Sequence, residues 1–294
     1  MSKATYLITG AGTGFGKGIA FGLAEKGETV IAGVETMSEV SVLRQEARNK
    51  KMAIQIEKLD VTDPVDRQRA WTWEIDVLVN NAGIAEGGSL VDIPEEQLRH
   101  QFDVNLFGPI LLTQKIAKKM VKKRRGKIIF MSSVSGLMAD PFMGPYCGTK
   151  FAIEAFADSL SKELQEFNVQ VATINPGPYL TGFNDREFEA WQMWRDDSKE
   201  RLFNYEKLAF PYEQFDPEDF IKDAIHLLTS PSLYHRNVIP KAAEIIAKKQ
   251  QKEIWTEKAD ENLGKRHPQV QRSLDINPGT TPVKGIVNRV KSKL

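Results

Sequence analysis

Short apolar runs alternate along this chain with longer stretches in which apolar residues recur every three or four positions. Runs of the first kind predict buried strands, and stretches of the second kind predict amphipathic helices. Strands are predicted at residues 4–9, 29–33, 52–58, 76–80, 127–132, 169–175 and 237–239. Helices are expected to begin near Gly14, Ser38, Pro64, Pro94 and Pro145. The alternation predicts an α/β fold, a doubly wound parallel sheet in three layers.

Two regions fall outside this alternation. Residues 183–215 carry many aromatic side chains among charges, which predicts either a lid over a site or a packed excursion. Residues 259–294 are polar, contain three prolines and show no sustained period. This segment is expected to be a disordered tail or an arm that clasps a partner subunit. We therefore predict one domain over residues 1–258 with a C-terminal extension.

Composition narrows the classes of function. The 294 residues include 40 basic and 39 acidic side chains, so the net charge of +1 gives no footprint for nucleic acid or an anionic membrane. The basic cluster at residues 118–125 ends a predicted helix, where cations favour the dipole. No apolar run approaches the roughly 18 residues of a membrane span. The single cysteine, Cys147, fits a reducing compartment, so we expect a cytoplasmic protein. The four histidines are scattered without ligand spacing, and no metal site is expected.

A glycine-rich turn follows the first predicted strand and precedes a helix. It reads T-G-A-G-T-G-F-G from Thr9 to Gly16, a spacing that differs from G-x-G-x-x-G. Glycines there let backbone N–H groups and the positive helix end approach a pyrophosphate. The turn predicts dinucleotide contacts at Gly10, Thr13, Gly14, Phe15 and Gly16.

A tyrosine and a lysine stand four residues apart at the start of the helix near Pro145. The spacing places Tyr146 and Lys150 on one helical face. A neighbouring ammonium favours the phenolate, and lowering a tyrosine pKa by about three units takes roughly 4 kcal/mol. Alone, such a pair also fits a packed aromatic beside a surface cation. Ser133 lies at the carboxyl end of a predicted strand, where open α/β sheets place ligands.

A proline interrupts the long helix predicted over residues 94–121. Pro109 has no N–H to return to the carbonyl of Asn105, so the helix is expected to kink there and leave that carbonyl free. A simple packing kink would fit as well.

These motifs together resemble the short-chain dehydrogenase/reductase family, in its compact single-domain branch, with a Rossmann-like sheet. The likeness runs from residue 4 to 181 and more loosely to 242. It implies a catalytic tetrad of Asn105, Ser133, Tyr146 and Lys150. It also implies cofactor contacts at Asp60, Val61, Asn81, Ala82, Gly83, Tyr146, Lys150, Pro176, Gly177, Tyr179 and Thr181.

The resemblance implies hydride transfer between a nicotinamide and a secondary alcohol or ketone. Tyr146 would be the general acid/base, and Ser133 would hold the substrate oxygen with it. Lys150 would lower the tyrosine pKa and bind the nicotinamide ribose, while the Asn105 carbonyl would anchor a proton-relaying water. Residues 183–215 would form the substrate lid, which favours an apolar small molecule. The family also implies a homo-oligomer, dimer or tetramer, built through the helices that carry Asn105 and Tyr146.

The residue closing the second strand discriminates between NAD and NADP. Glu35 would accept hydrogen bonds from a free ribose diol and repel a 2′-phosphate, which favours NAD. The family's usual aspartate would align with Val34, so NADP is not excluded. Two alternatives remain: a dinucleotide-binding sensor or scaffold without chemistry, and an epimerase or dehydratase of the extended branch. The complete tetrad argues against the first, and the glycine spacing argues against the second.

Overall fold

Seven parallel strands form one sheet in the computed structural model, which describes residues 3–194 and 200–275. The strands are β1 (Thr5–Ile8), β2 (Thr29–Val34), β3 (Gln55–Lys58), β4 (Val77–Asn80), β5 (Gly126–Met131), β6 (Val169–Pro176) and β7 (Arg236–Ile239). Their order is β3-β2-β1-β4-β5-β6-β7. Every predicted strand is confirmed, and the largest shift is at β3, which begins at Gln55 rather than at Met52.

Ten α-helices lie in the described ranges. They are α1 (Gly14–Glu25), α2 (Met37–Asn49), α3 (Pro64–Ala70), α4 (Glu95–Phe102), α5 (Gly108–Lys123), α6 (Gly144–Leu164), α7 (Phe183–Glu189), α8 (Pro217–Thr229), α9 (Lys241–Glu253) and α10 (Pro268–Asp275). The five predicted helix starts are confirmed to within one residue. Helices α7 to α10 were not predicted. None of the described helices is long and apolar enough to cross a membrane.

The central strands β1, β2 and β4 are largely apolar because helices cover both faces of the sheet. In β1, Ile8 faces a core shared with α1, α2 and α8, whereas Leu7 faces a core shared with α5 and α6. Both side chains are fully buried. The three predicted layers are therefore confirmed.

The chain reverses its direction of winding between β1 and β4. Strands β2 and β3 extend the sheet to one side of β1, and β4 returns to its other side. In an open parallel sheet, such a switch point leaves a crevice beyond the carboxyl ends of the strands. The fold thus places the turn after β1 beside the ends of β4 and β5.

The kink expected at Pro109 is present as a π-helical turn at Asp103–Phe107, between α4 and α5. There the Gly108 N–H donates to the Asp103 carbonyl, five residues earlier. Pro109 supplies no N–H for the regular pattern, so the wider turn takes its place. Asn105 lies within this turn and is buried.

The aromatic segment packs into a third apolar cluster beside the sheet edge. Phe188, Trp194, Tyr205 and Phe210 are buried there against Tyr146. Within the predicted tail, α10 docks on this cluster through Val270 and Leu274. The sequence analysis did not predict this helix, because its apolar partners lie in segments distant in the chain. Residues 276–294 of the predicted tail lie outside the described residues.

Candidate active site

A cavity of about 670 Å³ opens at the carboxyl edge of the sheet. The predicted site residues that line it are Gly10, Thr13, Gly14, Phe15, Gly16, Glu35, Asp60, Val61, Asn81, Ala82, Gly83, Ser133, Tyr146, Lys150, Pro176, Gly177, Tyr179 and Thr181. Asn105 alone among the predicted site residues lies behind the wall. One cavity therefore unites segments that are up to 171 residues apart, from Gly10 to Thr181.

The turn after β1 needs glycine for two different reasons. Gly10 has a φ of +62°, and a Cβ there would lie 2.6 Å from the Ala82 Cα. A Cβ on Gly16 would lie 2.3 Å from the Gly10 carbonyl oxygen. The Asn81 side chain closes the turn by donating to the Thr9 and Gly10 carbonyls at 2.9 and 3.1 Å. The turn is thereby fixed against the loop that follows β4.

The first turn of α1 is left without a side-chain cap. Thr13, its N-cap residue, makes no capping hydrogen bond, and no acidic residue stands in the first turn. By contrast, α2 is capped by Thr36, α3 by Asp63 and α8 by Asp216. Backbone N–H groups that face a cavity at a positive helix end suit an anionic phosphate.

Carboxylates line the far end of the cavity. Glu35 follows β2 and lines it together with Asp60 and Glu39. The Asp60 Oδ1 accepts from the Thr62 N–H and hydroxyl at 2.8 and 2.7 Å, which fixes its orientation. Glu39 was missed by the sequence analysis. Its capping box with Thr36 at the start of α2 was the signal that could have located it.

Ser133, Tyr146 and Lys150 converge at the opposite end. Ser133 follows β5, and its side chain lies close enough to Tyr146 to lower the pKa of the phenol. The Lys150 Nζ lies 5.5 Å from the centre of the Tyr146 ring and donates to the Met131 carbonyl at 2.9 Å. Tyr146 and Lys150 therefore lie on one face of α6, as predicted. The side chains of Ser133, Tyr146 and Lys150 are all buried.

The expectation that the pKa of Tyr146 is lowered is wrong. Burial raises the pKa of Tyr146 above its ordinary value, the Glu187 carboxyl raises it further, and the Ser133 side chain offsets part of the rise. Burial also lowers the pKa of Lys150 to about 8. Desolvation disfavours both charged forms, and the four-residue spacing of Tyr146 and Lys150 carries no information about burial.

The Asn105 side chain ties α4–α5 to the loop after β4. Its Oδ1 accepts from the Ile84 N–H at 2.8 Å, and its Nδ2 donates to the Ile84 carbonyl at 2.8 Å and to the Thr149 hydroxyl at 3.2 Å. These contacts hold the loop with Gly83 against α6. They concern the side chain, so the proposed role of the backbone carbonyl remains a prediction.

A buried network behind Ser133 was missed by the sequence analysis. The Glu154 carboxylate accepts from Asn175 Nδ2 at 2.5 Å and from Arg236 Nε at 2.8 Å. Asn175 Nδ2 also donates to the Ser133 carbonyl at 3.1 Å. Glu154 thus links α6, β6 and β7, and it fixes the backbone of the serine. A single sequence shows no pattern that joins these positions.

The aromatic segment contributes only part of its side chains to the cavity. Phe183, Phe210 and Tyr212 line it, as does Asp140 from the β5–α6 loop. Gln269 of α10 lines it too and donates to Asp140 at 2.7 Å. Trp191 and Trp194, in the middle of the predicted lid, pack against Tyr205.

The burial of Lys150 has a measurable consequence for stability. Below pH 8 both the folded and the unfolded chain carry this proton, so the full desolvation cost opposes folding. Between pH 8 and the ordinary value of 10.5 only the unfolded chain keeps the proton, and the parent gains stability as pH rises. We expect Lys150→Met to raise the free energy of unfolding by about 2 kcal/mol at pH 7, with a smaller gain at pH 10.5.

Denaturant titrations at the two pH values measure both differences. Lys162→Met is the matched control, because Lys162 lies on the same helix with a 71% exposed side chain. A Lys150→Met protein less stable than the parent at pH 7 would show that the contact with the Met131 carbonyl outweighs desolvation.

Comparison with known proteins agrees with this geometry. Residues 4–192 match the family model for short chain dehydrogenases. The 3-ketodihydrosphingosine reductase of Bacteroides thetaiotaomicron is 35% identical over 189 residues, which cover 63% of this chain and 67% of the relative. The NADPH-dependent 3-dehydrocapnine reductase of Ornithobacterium rhinotracheale is 30% identical over 224 residues, covering 70% and 79%.

Solved structures share the fold. A short-chain dehydrogenase from Sphingobium yanoikuyae, in complex with NADPH, superposes with a TM-score of 0.68 at 20% identity. The match covers 90% of this chain and 99% of that one. With more than half of its residues matched by the family model, the chain belongs to the short-chain dehydrogenase family of oxidoreductases.

Proposed function

We propose that this protein is an NAD-dependent oxidoreductase that interconverts a secondary alcohol and a ketone, with Tyr146 as general acid/base. One observation carries the proposal: Ser133, Tyr146 and Lys150 meet in the same cavity as the uncapped N-terminus of α1. A dinucleotide carries its phosphates and its reactive ring some distance apart. Its phosphates would lie at the N-terminus of α1 and its ring beside Tyr146.

The residues present fit the cofactor. The free N–H groups at Gly14 to Gly16 suit the pyrophosphate, Glu35 suits the adenosine ribose, and Lys150 suits the nicotinamide ribose. When bound, NAD supplies the carbon that accepts the hydride. The positive charge of the oxidised ring would favour the phenolate of Tyr146 and so offset part of the cost of its burial.

The chain's own groups handle the proton. In the oxidative direction the Tyr146 phenolate oxygen takes the proton of the substrate alcohol, and in the reductive direction the Tyr146 hydroxyl gives its proton to the alkoxide. The Ser133 hydroxyl donates a hydrogen bond to the substrate oxygen and holds it beside Tyr146. The Lys150 ammonium, with its pKa lowered to about 8, can exchange a proton near neutral pH.

Removing the phenol oxygen tests this assignment. We expect Tyr146→Phe to lower turnover by about 100-fold or more, because a positioned acid/base contributes at least that factor. The dissociation constant of the dinucleotide and the unfolding midpoint should stay unchanged. Reduced-nicotinamide absorbance during a screen of secondary alcohols and ketones measures turnover, and Tyr234→Phe, which is 84% exposed, is the control.

Two results would contradict the proposal. A Tyr146→Phe protein as fast as the parent would remove the tyrosine from the mechanism. A parent that binds the dinucleotide but turns over none of the alcohols or ketones would favour the alternative of a catalytically silent sensor or scaffold.

The choice of NAD over NADP rests on charge. Glu35 and Glu39 both line the adenosine end of the cavity, whereas the lining lysine and arginine side chains of the described residues are Lys150, Arg186 and Arg272. Lys150 stands beside Tyr146, and the two arginines lie on α7 and α10. A 2′-phosphate would therefore meet two carboxylates, a juxtaposition that costs binding energy. One relative is named as NADPH-dependent, so this chain would differ from it in cofactor.

Titration with both dinucleotides tests this difference. We expect NAD to bind at least about 10-fold more tightly than NADP at low ionic strength. In the Glu35→Gln/Glu39→Gln protein, the difference between the NAD and NADP dissociation constants should be smaller, because NADP binds more tightly. Glutamine at position 39 preserves the capping box. Glu25→Gln/Glu96→Gln, at two exposed positions, is the control with the same change of charge. A parent that prefers NADP would overturn the assignment.

We further propose that chains associate through α5 and α6. Phe107, Leu111, Phe151 and Phe156 are 52, 39, 42 and 46% exposed there, and exposed apolar side chains of this size favour a protein interface. We expect the parent to sediment as a dimer or tetramer and Leu111→Glu/Phe156→Glu to shift toward the monomer. Leu263→Glu, at a 76% exposed position, is the control. A monomeric parent at micromolar concentration would contradict this.

The substrate surface is proposed to be apolar, with the segment 183–215 as its lid, because Phe183, Phe210 and Tyr212 line the cavity beside Tyr146. A domain over residues 1–258 with a tail from 259, and a cytoplasmic location, remain part of the proposal.

A further inference from the structure

Arg186 is a cation that lines the cavity and has no polar partner of its own. It lies on the exposed side of α7, and its side chain forms part of the cavity wall. The guanidinium makes no hydrogen bond or ion pair within residues 3–194 and 200–275. A guanidinium placed in this way is available to bind an anion that enters the cavity.

The first turn of α7 is held against the segment that follows β6, so the position of Arg186 is defined. Asn184 Nδ2 donates to the Tyr179 carbonyl at 3.4 Å and to Gln214 Oε1 at 2.7 Å. Gln214 is buried, and its Nε2 donates to the Asp185 carboxylate at 3.2 Å. The polar side chains on either side of the turn are thus used to anchor the helix, and Arg186 is left to face the cavity.

The guanidinium lies close to the phosphate-binding turn. Its Nη1 is 3.0 Å from the position of a Cβ on Gly182. The preceding residue, Thr181, has its Cβ 3.9 Å from the position of a Cβ on Gly14, where α1 begins. Arg186 and the N-terminus of α1 therefore face the same part of the cavity.

The turn after β1 has no cation of its own for a doubly charged group. The Glu39 carboxylate packs so closely on Gly12 that a Cβ at position 12 would overlap its Oε1. Lys17, in the first turn of α1, pairs with Glu46 at 2.7 Å and is not part of the cavity wall. Two phosphate charges held by the backbone N–H groups would thus lie near a carboxylate, which makes a neighbouring cation favourable.

The other two cations that line the cavity, within the described residues, lie at other parts of its wall. Lys150 lies beside Tyr146, and Arg272 lies over the Tyr212 ring, 5.1 Å from its centre. Of the three, Arg186 is the one that contacts the segment bordering the turn after β1.

We propose that Arg186 binds the pyrophosphate of the dinucleotide from α7, across from the backbone N–H groups of α1. The planar guanidinium presents parallel N–H donors that match phosphate oxygens. Helix α7 also carries Phe183, whose ring packs on Tyr146 with 5.6 Å between centres. Cofactor binding would therefore also fix the wall beside the reacting oxygen. This inference rests on the proposed function, because it takes the cavity as a dinucleotide site.

Calorimetric titration with NAD tests the proposal without any substrate. We expect Arg186→Gln to raise the dissociation constant of NAD by about 10-fold or more, because a charge-assisted contact with phosphate is lost. Adenosine lacks the pyrophosphate, so its dissociation constant, measured by competition with NAD, should change by less than about 2-fold. The affinity of the parent for NAD should also fall more steeply with ionic strength than that of Arg186→Gln.

Two further variants serve as controls. Lys222→Gln removes an equal charge from a 71% exposed side chain on α8, outside the cavity wall, and should bind NAD as the parent does. Arg186→Lys keeps the charge without the planar fork, so its affinity for NAD should lie between those of the parent and Arg186→Gln. The unfolding midpoint of Arg186→Gln should equal that of the parent, because the side chain is exposed.

The outcomes separate this inference from the proposed function. A parent that binds NAD no more tightly than Arg186→Gln does, or an equal loss of affinity for NAD and adenosine, overturns the inference and leaves the function intact. An Arg186→Gln protein that binds NAD like the parent but turns over more slowly also overturns it, since the arginine would then act on the substrate. The pyrophosphate is common to both dinucleotides, so a parent that binds neither NAD nor NADP contradicts the function and the inference together.

Discussion

The burial of the Tyr146 phenol and the Lys150 ammonium on one face of α6 is the constraint on which the site depends. Removing each group from water costs free energy, and each has only a few polar contacts in the protein to offset that cost. Lys150 has the Met131 carbonyl, and Tyr146 has Ser133. The low polarizability of the surroundings strengthens the electrostatic effect of any neighbouring charge on both groups.

The sheet determines where these groups can meet. Ser133 follows β5 and the glycine turn follows β1, and both strands end at the same edge. The Glu154 network holds β6 and β7 against α6 from behind. Since parallel strands are fixed by ladders over their whole length, a buried carboxylate at the strand ends can position a serine backbone without touching the cavity. The scaffold is therefore rigid where proton transfer requires precise placement.

The strands, the early helices and nearly the whole cavity lining could be predicted because each depends on local patterns. Apolar runs mark β1 to β7, prolines open α3 and α6, and Pro109 marks the π turn. The pKa of Tyr146 could not be predicted, because spacing reports the neighbouring charge and says nothing of burial. Helix α10 and Glu187 were missed for a related reason: their environments are made by residues distant in the chain, such as Asp140 for Gln269.

The elements tied to the sheet and the elements outside it contribute different parts of the candidate site. The turn after β1, Ser133 and Tyr146 lie on elements tied to the sheet, so their geometry does not depend on the substrate. The aromatic cluster, α7 and α10 lie outside the sheet and form the remaining wall. Under the proposed function, changing side chains there would alter which molecule reaches Tyr146 and would leave the proton-transfer groups in place.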